Sequence, residues 1–213
     1  MRIADAQPIE FELRTATLDD VPTLAQLIAD SCRQLCVADY TPEQIEAALG
    51  SAWGVDSQLI LDATYFVAQS GAEVVGCGGW SRRRTLFGAD GASGRSATEL
   101  TPGRDAAKVR AFFVRPDWAR KGVGRAILDR CEHEAQAAGF AQAELMATLT
   151  GVRLYTAMGY QAQDPITFTL PGAVGITFVP MHKTLTAEAR ACGHTTAERM
   201  PNAHQRPIIP RTV

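Results

Sequence analysis

The segment from Val109 to Leu149 constrains the fold more than any other part of the sequence. Val109–Val114 is a short apolar run that predicts a buried strand, and Pro116 ends it. Gly124–Ala138 carries apolar residues at helical spacing, and Ala143–Leu149 is again typical of a strand. A strand, a helix and a strand in this order predict a parallel pair with a right-handed crossover.

The turn between that strand and that helix predicts an anion site. Gly122 and Gly124 let the backbone come close to a ligand and present consecutive N–H groups. The N-terminus of the helix adds a positive dipole, and the nearby side chains add full charges. Those side chains are Arg120, Lys121 and Arg125. Together these features suit a pyrophosphate, although a Gly-x-Gly turn taken alone is more often only a turn.

Two familiar phosphate motifs do not describe this turn. The sequence GxxxxGK[ST] of a nucleotide P-loop is absent, and Ile127 stands where a dinucleotide fingerprint has its third glycine.

Sequence patterns outside residues 109–149 predict further strands and helices. Phe11–Arg14 predicts a first strand, and Thr17 is a candidate N-cap for the helix that follows. Thr41–Gln44 forms a capping box that begins a second helix through Leu49. The sequence also predicts a hairpin at Thr64–Gln69 and Glu73–Trp80, a long loop at 88–106, a short helix at Val152–Met158, and a closing hairpin at Thr167–Leu170 and Thr177–Thr184.

Composition places the chain among single-domain globular proteins. It has 213 residues and a net charge of −2, which gives no general attraction to nucleic acid or anionic membranes. No apolar run reaches the roughly 18 residues of a membrane span, so we expect a cytoplasmic protein. Five scattered cysteines indicate a reducing compartment, and Cys32 and Cys36 alone do not make a metal site.

Four marks in sequence order resemble the GNAT superfamily of N-acetyltransferases over residues 11–186. The family's pyrophosphate motif, [Gln/Arg]-x-x-Gly-x-[Gly/Ala], is similar to Ala119-Arg120-Lys121-Gly122-Val123-Gly124, with Ala119 as a departure. The other marks are Arg14-Thr15-Ala16-Thr17 with Asp20, Val74-Val75-Gly76, and Leu154-Tyr155-x-x-x-Gly159-Tyr160. Thr148-Leu149-Thr150-Gly151 stands where the family often has an asparagine, which leaves one coenzyme contact unassigned.

The resemblance implies a fold, a cofactor and site residues. It implies a mixed α+β sheet of about six to seven strands, with a central splayed parallel pair flanked by helices. It implies acetyl-CoA as co-substrate, a primary amine of a small molecule as acceptor, and no metal. The implied coenzyme-binding residues are Phe113, Val114, Arg120, Lys121, Gly122, Val123, Gly124 and Arg125. Tyr155 is the implied general acid, with core packing as the alternative, and Tyr160 is implied to be a packing residue.

Several questions stay open from sequence. Glu99, Asp105 and Glu144 are candidate general bases, although each is more typical of a solvated carboxylate. His182 is expected on an edge strand, and Arg82-Arg83-Arg84 is either a solvated run or a wall of the acceptor cleft. The alternatives in function are a peptide amine, another acyl-CoA, or a non-catalytic acyl-CoA sensor, and a homodimer is left open. We expect residues 1–10 to be a flexible lead-in and 187–213 to be an extended tail.

Overall fold

A computed structural model describes residues 10–92 and 95–185. Within these residues one mixed sheet is flanked by helices on both faces, as the sequence resemblance implied, and it has eight strands where about six to seven were expected. Its strands are β1 (Glu12–Thr15), β2 (Tyr65–Ser70), β3 (Glu73–Ser81), β4 (Ala107–Val114), β5 (Gln142–Thr148), β6 (Gln161–Ala162), β7 (Ile166–Thr169) and β8 (Gly175–Thr184). The helices are α1 (Val21–Leu35), α2 (Pro42–Ala48), α3 (Ser57–Leu61), α4 (Val123–Ala137) and α5 (Val152–Ala157). The lead-in before residue 10 and the tail from 187 lie outside the described residues.

The sheet order is β1-β2-β3-β4-β5-β8-β6, and β7 pairs with β8 beside β6. All neighbours are antiparallel except β4 and β5, which are parallel as predicted. The expectation that His182 lies on an edge strand is wrong, because β8 pairs with β5 on one side and with β6 and β7 on the other. The two-residue β6 is too short to leave a pattern in the sequence.

The predicted helix boundaries follow local chemistry. The Thr41 hydroxyl accepts a hydrogen bond from the Gln44 N–H at 3.2 Å, and the Gln44 side chain accepts from the Thr41 N–H at 3.0 Å. This reciprocal capping box begins α2. Gly139 has a φ of +90° directly after α4, a conformation that glycine adopts without a steric penalty.

Two apolar clusters lie on opposite faces of the sheet. One contains the inner face of α4, with Ile127, Leu128 and Cys131 fully buried. The other contains α1 to α3 and the start of β8, with Leu24, Ile28 and Leu59 fully buried. Helix α4 lies close to β3 because Gly76 has no side chain: a Cβ there would be 2.5 Å from Cγ1 of Val123.

The predicted loop at 88–106 is held to the domain by specific contacts. The Arg95 guanidinium lies 2.6 Å from the buried carboxylate of Asp56, and the Thr85 hydroxyl accepts from the Ser96 N–H at 2.8 Å. An isolated bridge pairs Arg83 with Glu99. The described part of the loop therefore packs against α3.

Candidate active site

A gap between the two parallel strands is the central feature of the site. The ladder of β4 and β5 consists of Ala107 with Ala143 and Lys108 with Glu144, although both strands continue well beyond these pairs. Past Lys108 the two strands therefore separate, and the backbone of β4 from Ala111 to Val114 lines the resulting cavity. Strand edges in such a gap leave backbone N–H and C=O groups free to pair with an extended ligand.

The cavity has a volume of about 890 Å³ and is lined from both faces of the sheet. On the α4 face it is lined by Trp118, Arg120, Gly122, Val123, Gly124 and Arg125. On the α1 face it is lined by three aromatic side chains, Trp53, Phe87 and Phe178, which we call the aromatic chamber. The gap between β4 and β5 connects these two ends.

A β-bulge shapes the wall of the cavity beside the gap. The pairing register of β3 and β4 shifts between Cys77 and Gly79, and Ala111 has a φ of +59°. The Tyr65 hydroxyl donates to the carbonyl oxygen of Ala111 at 3.1 Å, which fixes this left-handed conformation. A left-handed non-glycine residue costs about 1 to 2 kcal/mol, so the surrounding packing must hold it. Sequence reasoning did not detect this bulge.

The predicted phosphate turn lies at the N-terminus of α4. Gly122 is the N-cap residue with a φ of +87°, and Arg120 has a φ of +63°. A Cβ on Gly122 would meet no atom within 4 Å, so the backbone faces open space. The first N–H groups of a helix lack intrahelical partners, and those of α4 belong to Val123, Gly124 and Arg125. This arrangement fits a doubly charged anion.

The structure brings most of the predicted site residues together. Phe113, Val114, Arg120, Gly122, Val123, Gly124, Arg125 and Tyr155 all line the cavity. Lys121 is outside the lining: it is exposed, and its ammonium lies 5.3 Å from the ring centroid of Trp118. Lys121 can therefore contribute long-range charge near the turn.

Tyr155 lies in α5 beside the gap and is 8% exposed. Its ring packs edge-to-face against Phe112, with centroids 6.2 Å apart, and against Tyr160 at 5.8 Å. Burial raises the pKa of Tyr155 above its ordinary value, so the hydroxyl keeps its proton in neutral and alkaline solution. The buried Tyr160 belongs to the same apolar cluster, in keeping with a packing role.

The three carboxylates considered as bases lie outside the cavity lining. Glu144 forms an ion pair with Lys108, Glu99 lies 3.7 Å from Arg82, and Asp105 accepts a hydrogen bond from the Thr101 N–H at 2.8 Å. Asp39, which sequence reasoning missed, is the one carboxylate among the described lining residues. The Thr150 hydroxyl donates to it at 2.6 Å. Only tertiary structure brings these two residues, 111 positions apart, into contact.

The arginine run after β3 does not line the cavity. Arg83 forms a two-point ion pair with Asp62, at 2.6 and 2.8 Å, and this interaction holds the pKa of the Asp62 carboxyl below its ordinary value. The alternative that this run forms the acceptor wall is therefore wrong. The cavity has a different guanidinium, that of Arg110, which is 3% exposed and lies 2.8 Å from Asp56.

Other classes of site find no support in the part of the chain that the structure describes. No group of three or more histidine, cysteine or acidic residues there could hold a metal ion. None of the helices in residues 10–92 and 95–185 has the length and apolar character needed to cross a bilayer. Cys32, Cys36, Cys77 and Cys131 are buried free thiols.

Comparisons with known proteins agree on one family. Residues 36–185 match the model of the acetyltransferase (GNAT) domain. No curated protein has a sequence significantly similar to this chain. The three solved structures described next are each at most 20% identical to this chain, so they show the fold alone.

Three similar solved structures show how far sequence identity and structural similarity extend. A GCN5-related N-acetyltransferase from Rhodopseudomonas palustris has 20% identity and a TM-score of 0.61, covering 86% of this chain and 99% of its own. The yncA protein of Salmonella typhimurium, solved with its cofactor acetyl-CoA, has 16% identity and a TM-score of 0.56, covering 86% and 99%. The ribosomal-protein-S18-alanine N-acetyltransferase of Escherichia coli has 12% identity and a TM-score of 0.51, covering 87% and 100%. With its splayed parallel pair, its phosphate turn and a family match over residues 36–185, this chain belongs to the GNAT acetyltransferase family.

Proposed function

We propose that this chain is an acetyl-CoA-dependent N-acetyltransferase that acetylates a primary amine of a small molecule by direct attack. The observation that best supports this proposal is the cavity. It leads from the Gly122 turn through the gap between β4 and β5 to Tyr155 and the aromatic chamber. A long ligand with an anionic end and a reactive end fits this path. The anionic end meets the N-terminus of α4, and the reactive end reaches Tyr155.

Binding of acetyl-CoA uses backbone groups at two places. The N–H groups of Val123, Gly124 and Arg125 would bind the pyrophosphate, supported by the charges of Arg120 and Arg125. Lys121 would add only long-range attraction. The backbone of Phe113 and Val114 would pair with the pantetheine arm in the place where a strand is missing.

Transfer needs a proton taken from the amine and a proton given to the sulfur. The neutral amine nitrogen attacks the thioester carbonyl carbon, the carbon–sulfur bond breaks, and the thiolate takes the proton of the Tyr155 hydroxyl. The acetylated nitrogen then releases its extra proton, which restores the Tyr155 hydroxyl. The raised pKa of Tyr155 suits an acid that must stay protonated until the bond breaks. Asp39, acting through water, is our candidate for the base that accepts the ammonium proton.

A small acceptor is favoured by the contacts that join α2 to β8 behind the chamber. The Tyr40 hydroxyl donates to the carbonyl oxygen of Thr177 at 2.7 Å, and the Gln44 amide donates to that of Gly175 at 2.7 Å. These bonds hold the segment around α2 against β8, the strand that contributes Phe178 to the chamber. An extended peptide would need an open groove, whereas a compact amine does not.

The matched pair Gly122→Asp and Gly122→Asn tests the coenzyme site. Both side chains tolerate positive φ and have similar size, but only aspartate brings negative charge to the phosphate. We expect acetyl-CoA affinity to fall on the order of 10- to 100-fold in the aspartate variant and by no more than a few fold in the asparagine variant. Equal affinity of wild type and both variants, measured by calorimetry, would place the pyrophosphate elsewhere.

Turnover is tested separately by thiol release with acetyl-CoA across a panel of small amines and short peptides. Release with a small amine supports the proposal. Release with peptides alone would make the chain a peptide acetyltransferase, release only with a longer acyl-CoA would change the donor, and binding without turnover would make it a sensor.

A further inference from the structure

The aromatic chamber carries information about the acceptor that neither the turn nor Tyr155 provides. Trp53 and Phe178 pack edge-to-face with ring centroids 6.4 Å apart, and Phe87 lies 5.5 Å from Phe178. The three rings come from the α2–α3 connection, the β3–β4 connection and β8. Segments far apart in sequence thus converge at one end of the cavity. Phe87 is half-buried there, whereas Trp53 and Phe178 are 3% and 2% exposed and reach the cavity with only a small part of each ring.

The chamber is held in shape by a second set of contacts. Behind it, Tyr40 packs against Trp53 at 5.3 Å and Phe168 against Phe87 at 4.8 Å. The Tyr40 hydroxyl also accepts a hydrogen bond from the Leu149 N–H at the end of β5. Burial raises the pKa of Tyr40 to about 12, so this bridge persists across neutral and moderately alkaline pH. A preorganised aromatic site binds flat apolar groups at low entropic cost.

The charges of the cavity lining disfavour an acceptor with several ammonium groups. Four arginines line the cavity, at positions 110, 120, 125 and 153, against the single carboxylate of Asp39. On the chamber side Arg110 is the buried cation, and its counter-ion Asp56, 1% exposed, is shared with Arg95. The proposed mechanism uses Asp39 for the reacting amine, so a second ammonium in the chamber would find no other carboxylate among the described lining residues.

We propose that the acceptor is a monoamine with an aromatic body, bound through its ring by Trp53, Phe87 and Phe178. The inference rests on the proposed acetyltransferase function and names the substrate class of the same site. The ring lies in the chamber, and the single amine points toward the gap where the thioester carbonyl would lie.

The test compares acceptors that differ in one property at a time. 2-Phenylethylamine carries a ring and one amine, hexylamine has similar length without the ring, and spermidine is a polycation. We expect kcat/KM to be highest for 2-phenylethylamine, on the order of 10-fold lower for hexylamine, and on the order of 100-fold lower for spermidine. A preference for spermidine, or equal values for the ring and chain amines, would overturn the inference.

Variants of Phe87, which is only half-buried, test the chamber itself. We expect Phe87→Leu to lower kcat/KM for 2-phenylethylamine on the order of 10-fold and Phe87→Ala on the order of 100-fold, mainly through KM, with smaller losses for hexylamine. Phe11→Leu is the matched control, because Phe11 is a half-buried ring that does not line the cavity and contacts it only through Trp118 on the α4 face, away from the chamber. A loss in the control equal to that in Phe87→Leu would overturn the assignment.

Failure of this inference is distinguishable from failure of the proposed function. If acetyl-CoA binds and no amine is acetylated, the transferase function is wrong. If amines are acetylated without preference for a ring, the transferase function stands and the aromatic acceptor class is wrong. Acetyl-CoA affinity and melting temperature, measured for every variant, separate a lost acceptor contact from a lost fold.

Discussion

Tyr155 and Asp39 are side chains of the cavity lining that can exchange protons with a substrate. They differ in environment: Tyr155 is buried between aromatic rings, whereas Asp39 is exposed at the connection from α1 to α2. The buried Tyr155 phenol keeps its proton and can donate it, whereas the exposed Asp39 carboxylate can be reached by water. The proposed roles follow from this difference.

Replacement of Tyr155 by phenylalanine removes only the hydroxyl group. Because the ring contacts with Phe112 and Tyr160 persist, we expect unchanged stability and acetyl-CoA affinity. Turnover should fall on the order of 10²- to 10⁴-fold, the usual range for general acid catalysis. Since the pKa of Tyr155 is raised, the wild-type rate should not decline between pH 7 and 10. Near-wild-type turnover of the variant in a pH–rate profile would make Tyr155 a packing residue.

Replacement of Asp39 by asparagine keeps the size of the side chain and its contact with Thr150. We expect the rate at pH 7 to fall on the order of 10-fold to 100-fold. The loss should shrink at higher pH, where the amine loses its proton without help. Asp19→Asn is a control at an exposed carboxylate outside the cavity lining. A loss that stays constant with pH would mean that Asp39 positions the substrate and is not a base.

Each end of the cavity is built from the junction of two elements. The phosphate turn connects β4 with α4, and the gap exists because β4 and β5 diverge after Lys108. The bulge at Ala111 and the hydrogen bond from Tyr65 direct the backbone of β4 along the gap. In the proposed function the elements would supply backbone groups for the coenzyme, and the connections between them would supply side chains for the acceptor.

The corner between β1 and α1 gives a prediction about pH. Arg14 binds Asp20 at two points, 2.7 and 2.8 Å, and this lowers the pKa of the Asp20 carboxyl to about 2. The ion pair therefore stabilises the fold above the unfolded pKa of about 4, and the contribution is lost as pH falls toward 2. We expect Asp20→Asn to lower the free energy of unfolding by about 1 to 2 kcal/mol at pH 7.

Most of the difference between wild type and Asp20→Asn should be lost at pH 2, where the Asp20 carboxyl of the folded protein, with its pKa of about 2, is half protonated. Urea titrations at pH 7, 4 and 2 measure it. Asp30→Asn, at a half-buried position of α1 where the carboxylate accepts hydrogen bonds from the neutral Gln26 amide, is the control and should change stability little at any pH. A difference that persists unchanged at pH 2 would show that Asp20 stabilises the corner through its shape rather than its charge.

The whole described domain closes at Leu185. This residue is 7% exposed, its N–H donates to the carbonyl oxygen of Ala141 at 2.8 Å, and the family match also ends there. We expect a chain that ends after Leu185 to keep its melting temperature within about 2 °C and its acetyl-CoA affinity within about twofold, since sequence gives the following segment no apolar face. A large loss of either would show that residues after 185 stabilise the domain, and a change in sedimentation would point to a role in self-association.

The sequence by itself determined most of the elements and the position of the glycine turn that we propose for the coenzyme. Helical periodicity, the capping box at Thr41 and the glycines at 122 and 139 are local signals, and local chemistry fixed the same features in the structure. The phosphate turn could be predicted because its functional groups are consecutive backbone N–H groups, which lie within a few residues of one another. The parallel pair followed from the order of strand, helix and strand.

Only the tertiary structure decided which residues line the end of the cavity that we propose for the acceptor. Trp53, Phe87 and Phe178 come into contact although more than half the sequence separates the first from the last. Asp39 contacts Thr150, which is 111 positions away. Glu99, Asp105 and Glu144, which the sequence offered as bases, bind groups outside the cavity lining. Arg83 of the arginine run likewise forms an ion pair with Asp62. The interior position of β8, the bulge at Ala111 and the width of the gap likewise depend on long-range packing. The physical reason is the same throughout: a turn is specified by neighbours in sequence, whereas a chamber is specified by which distant segments bury their apolar faces against one another.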